Sequence, residues 1–173
     1  MIIGNTVHFI HLAYPTDIVT DIRNYNHFNP KELNPILKLA ICEDNPSHYE
    51  IIHTILQKYP PGAFEITHFA SGDEFLRAAA ENGCPYSIVL TDIDLGSDTV
   101  NGISLAEKIN HISPDTQIIF ISQYLQYATA VYETEHAYFI HKQQMEKYLP
   151  LALRAACQKL SLIHISEPTR LRC

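Results

Sequence analysis

Four short apolar runs in this chain each end on a residue that could do chemistry. LKLAICED closes on an acidic pair, Glu43 and Asp44, and YSIVLTD closes on Asp92. TQIIFIS closes on the hydroxyl of Ser122, and AYFIHK on the amine of Lys142. If the runs are parallel strands joined by short connections, their carboxyl ends share one edge of a sheet, where α/β proteins build sites. Three carboxylates, one hydroxyl and one ammonium would then meet in a single cleft. Such a set suits holding a divalent metal, phosphorylating an aspartate and sensing the phosphoryl group. An aspartate attacks phosphorus poorly because anion must approach anion, and Mg²⁺ relieves this by neutralising and bridging both groups. Mg²⁺ takes oxygen ligands, including one or two carboxylates. Glu43, Asp44 and Asp92 supply them, and the backbone carbonyl of Asp94 is placed to add another. Asp92 is the expected nucleophile, giving an acyl phosphate. Lys142 and Ser122 are expected to contact phosphoryl oxygens.

The elements that must position these residues alternate strand and helix from residue 37. Strands are expected at 37–42, 64–69, 87–91, 117–121 and 137–141. Asn45-Pro46 reads as a helix cap with a first-turn proline. Ser71 and Glu74 read as a capping box, with a stop at Gly83. Further helices are expected near 103–110, over 124–132 and from Pro150 to Leu160. Five βα units of this length imply an α/β fold, a doubly wound five-stranded parallel sheet in flavodoxin-like order.

Taken singly, each polar residue has an ordinary explanation. Asp44 could only cap a helix, Ser122 could be a loop residue, and Lys142 a solvated charge. The weight lies in their order at the ends of successive core strands. Histidine pairs such as His8 with His11, or His48 with His53, lack a third ligand at zinc-like spacing. Tyr124, Tyr127, Tyr132 and Tyr138 read as packing or interface residues.

Composition bounds the remaining possibilities. The chain has 173 residues, 46% hydrophobic and 18% charged, with a formal net charge of -7. No basic cluster stands out, which argues against nucleic acid as the partner of this chain alone. The four cysteines, Cys42, Cys84, Cys157 and Cys173, form no CxxC pair. A reducing cytoplasm without disulfides is expected. The opening MIIGNTVHFIHLAYP lacks basic residues and is broken by Asn5, His8 and His11, so neither a signal peptide nor a membrane span fits.

Residues 37–160 resemble a bacterial response-regulator receiver domain of two-component signalling. The matching pieces are LAICEDN, IVLTDIDL, NGISLAEKI, IIFIS and YFIHK. DIDL…NGISLA with YFIHK resembles receivers that precede LytTR-type DNA-binding domains. The resemblance implies phosphorylation of Asp92 by a sensor histidine kinase, Mg²⁺ on Glu43, Asp44 and Asp92, and phosphoryl contacts from Ser122 and Lys142. It implies that Phe139 is the aromatic that swings inward with the switch hydroxyl. It also implies a partner or homodimer face on the fourth helix, fifth strand and fifth helix. The expected role is signalling; the only catalysis is the domain's own phosphoryl transfer and autodephosphorylation.

Three features depart from the family pattern. Gln143 stands where proline usually follows the lysine, and a cis bond there costs about 3 kcal/mol without proline. Gly96 replaces the proline common after the phosphoacceptor strand, and the loop to Gly102 looks longer than usual. A looser, trans Lys142 loop is therefore expected. The ends stand apart from the rhythm. Residues 1–36, with at most a short helix near 17–23, read as a mis-called start or a docking segment exposing Val7, Phe9, Ile10 and Leu12. Residues 161–173 read as a non-native tail where a LytTR-type output domain was lost; the alternative is a stand-alone receiver. A competing enzyme reading is a haloacid-dehalogenase-type phosphatase using Asp92 and Asp94 as its DxD pair. Against it, no acidic pair follows Lys142, Gly96 replaces the expected threonine or valine, and no cap domain is evident.

Overall fold

The computed structural model describes residues 36–96 and 100–166, apart from the side chains at 132, 133 and 164–166. The segment before Ile36, with its expected short helix and its His8 and His11 pair, lies outside the described residues, as do 97–99 and 167–173 with Cys173.

Five parallel strands, β1 (Leu37–Cys42), β2 (Phe64–Phe69), β3 (Ile88–Asp92), β4 (Gln117–Ser122) and β5 (Tyr138–His141), form one sheet in the order β2-β1-β3-β4-β5. The chain reverses direction across the sheet at β1, which leaves a crevice between the carboxyl ends of β1 and β3. Helices α1 (Pro46–Leu56), α2 (Gly72–Asn82), α3 (Gly102–Ile112) and α4 (Met145–Ser166) cover both faces.

Strand alternation explains the two cores. Leu39 and Ile41 of β1, Leu90 of β3 and Ile119 of β4 point to α1 and α4. Ala40, Val89, Ile118 and Phe120 point the other way, to α2 and α3. The central strands β3 and β4 are buried throughout, as two-sided cover requires.

Helix starts follow their caps. Asn45 Oδ1 accepts from the Ser47 N–H at 2.9 Å and opens α1, with Pro46 at the first position. Ser71 Oγ accepts from the Glu74 N–H at 3.2 Å, while the Glu74 carboxylate reaches back to the Ala70 N–H at 2.9 Å. Gly83 ends α2 with φ of 74°.

Two elements differ from expectation. Residues 124–132 do not form an α-helix; two short 3-10 turns, Leu125–Ala128 and Ala130–Glu133, take its place. Tyr124 offers no side-chain cap, and Thr129 and Val131 lose rotamer freedom in a helix. The last helix begins at Met145 rather than Pro150, directly after a 3-10 turn over Lys142–Gln144, and it runs past Leu160 to Ser166. Pro150 thus lies inside α4. An interior proline costs about 3 kcal/mol. Leu149 and Leu153 are both fully buried against the sheet, and each such burial contributes about 1.5–3 kcal/mol. Packing therefore outweighs the missing hydrogen bond.

Among the described residues, no helix is long and apolar enough to cross a membrane.

Candidate functional site

The carboxyl edge of the sheet gathers the polar strand ends. Glu43 leaves β1 with its N–H donating to the Phe69 carbonyl at 3.1 Å, and its own carbonyl accepts from His68 Nε2 at 2.9 Å. These two bonds to β2 fix the backbone at the turn and send the Glu43 side chain into the crevice. Asp44, next along, is exposed. Asp92 is the last residue of β3, and its Oδ1 accepts from the Asp94 N–H at 3.2 Å. Carboxylate oxygens of Glu43, Asp44 and Asp92 lie within 4.8 Å of one another.

Lys142 follows β5 and reaches back across the edge. Its Nζ stands 2.5 Å from Asp92 Oδ2 and 3.1 Å from Glu43 Oε1. With the Lys142 side chain only 7% exposed, this is a largely desolvated ion cluster. The 3-10 turn over Lys142–Gln144 fixes the base of the side chain. The described peptide bonds, including the one before Gln143, are all trans. The expected looseness of the Lys142 loop is therefore not what the structure shows: the lysine is packed, turned into a helix and bonded to both acids.

Burial sets the electrostatics. It pushes the Asp92 carboxyl above the usual carboxylate range, against the opposing pull of Lys142 and the N–H groups of Asp94 and Ile93. Burial does the same to Glu43, where the Lys142 hydrogen bond opposes the rise and the negative charge of Asp92 adds to it. Three carboxylates face one ammonium, so the fully ionised pocket carries a net charge of -2.

That imbalance fits a hard divalent cation, and one atom supports the fit directly. Glu43 Oε2 is buried and accepts no hydrogen bond; the Lys142 ammonium lies 3.0 Å from it without hydrogen-bond alignment. A buried oxygen left in this way is expensive unless something else occupies it. The three carboxylates offer oxygens within 4.8 Å of one another, a set that a small oxygen-liganded cation could draw together.

Two glycines shape the pocket. A Cβ on Gly96, at φ of 60°, would fall 2.8 Å from Asp44 Oδ2. A Cβ on Gly102 would fall 2.0 Å from the Asp92 carbonyl oxygen, so only glycine lets α3 start this close to the end of β3. From the sequence Gly96 stands only as a departure from family patterns; its fit against Asp44 gives it a positive reason.

Ser122 ends β4, fully buried, and its Oγ accepts from the Tyr124 N–H at 3.1 Å. No hydrogen bond links it to the acid cluster. Phe139, in register with Phe120 on β4, is half-buried on the α2 and α3 side. Asp94 is exposed beyond the edge. His48 is the residue that the sequence reading missed. It is not paired with His53, which stacks on Tyr49 with centroids 5.6 Å apart. Instead its Nδ1 stands 2.7 Å from Lys142 Nζ. The signal was its place in the first turn of α1, three residues after the cap that opens toward the crevice.

The family model for the response regulator receiver domain matches residues 39–154. The chain belongs to this family, the receiver domains of two-component systems, which are signalling modules rather than conventional enzymes. Accessory gene regulator protein A of Staphylococcus aureus (strain N315) is 32% identical over 111 residues, covering 61% of this chain and 46% of the relative. The chain thus spans about half the length of the curated relatives it matches. The response regulator receiver protein CpdR of Brucella abortus is 29% identical over 85 residues, covering 49% of this chain and 65% of the relative. Among solved structures, a response regulator receiver domain protein from Clostridium thermocellum superposes with a TM-score of 0.61 at 20% identity, covering 73% of this chain and 98% of that one. A CheY-like receiver from Methanospirillum hungatei gives 0.63 at 20% identity, covering 75% and 99%. These structural likenesses carry the fold.

Proposed function

We propose that this chain is a phosphorylatable receiver that accepts a phosphoryl group on Asp92 from a sensor histidine kinase. The observation that carries the reading is the Lys142 ammonium bridging Asp92 and Glu43 beside a buried Glu43 oxygen that accepts no hydrogen bond. Glu43, Asp44 and Asp92, with the Asp94 carbonyl, would hold Mg²⁺, which would supply the positive charge that lets the two anions meet. An Asp92 carboxylate oxygen forms the bond to phosphorus. The bond from phosphorus to the histidine nitrogen of the kinase breaks, and its electron pair leaves on that nitrogen, which takes a proton from solvent. Lys142 exchanges its contact with Asp92 for one to a phosphoryl oxygen. Ser122 donates its hydroxyl to another, giving up its bond from Tyr124, and Phe139 follows it inward.

Relaying that change to partners is the work of the neighbouring surface. Tyr124 and Leu125 stand exposed after β4, and with β5 and α4 they form the face for a partner or a second copy. The proposed setting is the cytoplasm. The receiver unit spans 37–160 after a leading segment, 1–36, and α4 carries on into the tail, 161–173, as far as Ser166. The output is regulation of transcription through a LytTR-type DNA-binding domain. The phosphatase alternative draws no support from the site, because the acidic pair comes from β1, ahead of the DxD strand, and sits beside Asp92.

The test is incubation with phosphoramidate, with and without Mg²⁺, followed by intact-mass measurement beside Asp92→Asn. A Mg²⁺-dependent gain of one phosphoryl group, absent in the variant, is the expected result. No gain in a folded, Mg²⁺-binding sample sinks the proposal.

A further inference from the structure

An ammonium carries three N–H bonds and can only donate. The Lys142 ammonium has three acceptors in both distance and alignment: Asp92 Oδ2 at 2.5 Å, Glu43 Oε1 at 3.1 Å and His48 Nδ1 at 2.7 Å. His48 Nδ1 is therefore the bare nitrogen of the ring, and the ring proton sits on Nε2. This tautomer also accounts for the 3.3 Å separation between the same Nδ1 and Glu43 Oε1. Two acceptors face each other there, both turned toward one ammonium, and no hydrogen bond joins them.

The oxygen left over is Glu43 Oε2. It lies 3.0 Å from the same ammonium, buried, and accepts no hydrogen bond. The third N–H of Lys142 goes to His48, and Oε2 is the atom that goes without.

We propose that His48 is a positioning residue of the cation site. By accepting the third N–H of Lys142, it turns that N–H away from Oε2, so this oxygen, although 3.0 Å from the ammonium, accepts no hydrogen bond and keeps its lone pairs for a divalent cation. This inference rests on the reading of the acidic crevice as a Mg²⁺ site. Without the imidazole, a lysine side chain only 7% exposed has an unpaired N–H, which must find another acceptor. The nearest is Oε2. An N–H donated to Oε2 would take up the lone pair that the incoming cation needs. His48 is 29% exposed in its side chain, at the rim, so replacing it opens no core cavity.

Calorimetric titration of metal-free protein with MgCl₂ tests this in four forms: wild type, Asp92→Asn, His48→Ala and His48→Gln. A lost supporting partner lowers metal affinity by about tenfold or more. His48→Ala is expected to bind Mg²⁺ at least about tenfold more weakly. His48→Gln, whose amide oxygen can accept from the ammonium, is expected to recover most of the loss. A purely structural role for His48 would not show that rescue. If His48→Ala binds Mg²⁺ as tightly as wild type, or more tightly, the inference is overturned. Tighter binding would mean that Nδ1–H donates to Glu43 and competes with the metal. A His48→Gln protein that melts like wild type yet binds as weakly as His48→Ala also overturns it. Asp92→Asn separates the two levels. If wild type and Asp92→Asn both give no binding heat, the Mg²⁺ site itself is wrong and this inference falls with it. If wild type binds and Asp92→Asn does not, the site stands and the His48 variants alone decide.

Discussion

Replacing Lys142 by methionine probes the ion cluster most severely. The substitution keeps an unbranched apolar stem of similar length and deletes the ammonium that bonds Asp92 Oδ2 and Glu43 Oε1. Both carboxylates are buried, at 5% and 1% exposure, so neither can turn to water. Removing one partner of a buried ion pair costs about 3–5 kcal/mol. For a domain of this size each kcal/mol lowers the melting temperature by about 2–4 °C. The metal-free variant should therefore melt roughly 6–20 °C below wild type, toward the lower end because the crevice is open at Asp44. Without the ammonium the three carboxylates meet no positive charge, so the variant should bind Mg²⁺ more tightly than wild type, and its deficit should shrink when the cation is added. The pH dependence has a definite sign. Burial raises the Asp92 and Glu43 carboxyls above their ordinary values of 3.8 and 4.5, and Lys142 is the chief opposing influence on each. Deleting it raises them further. A carboxyl raised in the folded state contributes stability below its unfolded pKa and loses it as pH rises through the folded pKa. The deficit of Lys142→Met should thus be widest at neutral pH and narrow as pH falls toward those ordinary values. Thermal melts followed by circular dichroism, in EDTA and in Mg²⁺ across mildly acidic to neutral pH, measure all three effects. A metal-free variant as stable as wild type at neutral pH would refute the reasoning.

Other substitutions test separate parts of the site. Asp92→Asn leaves Lys142 paired one to one with Glu43, so in EDTA at neutral pH it should melt a few degrees above wild type, with a smaller Mg²⁺-induced shift and an advantage that fades on acidification. Gly96→Ala forces a left-handed conformation, about 1–2 kcal/mol, and drives a methyl toward Asp44; titration should show weakened Mg²⁺ binding. Gly102→Ala places a methyl 2.0 Å from the Asp92 carbonyl oxygen; it should lower stability in denaturant melts by at least the roughly 1–3 kcal/mol typical of overpacking. The Cys157 thiol is pushed up to about 12 by burial, and the buried Cys42 thiol is pushed up as well; of the described cysteines, thiol-reactive dye should label Cys84 in the native protein and reach the other two only after denaturation.

The strands were legible because two-sided burial writes itself as unbroken apolar runs, as in the IVL of β3 and the IIFI of β4. The caps were legible because Asn45 and Ser71 have few other reasons to precede an amphipathic stretch. Residues 124–132 misled because aromatic and β-branched spacing there satisfies a helical period while the local cap is missing. Pro150 misled because a local rule, that proline starts helices, was overruled by the packing of Leu149 and Leu153. At the site, the acidic triad and Lys142 could be placed from strand ends alone, since sheet topology converts sequence order into neighbourhood. The role of His48 could not. Its meeting with Lys142 joins residues 94 positions apart, through a lysine side chain whose direction is set by the turn after β5. The fit of Gly96 against Asp44 is likewise a three-dimensional fact.

The central claim is that Asp92 carries the phosphoryl group. Borohydride reduction converts an aspartyl phosphate to homoserine, and peptide mass spectrometry then reads its position. Protein treated with phosphoramidate and Mg²⁺ should yield homoserine at position 92 and nowhere else. Homoserine at Asp44 or Asp94, or none at all in folded protein that binds Mg²⁺, would contradict the account.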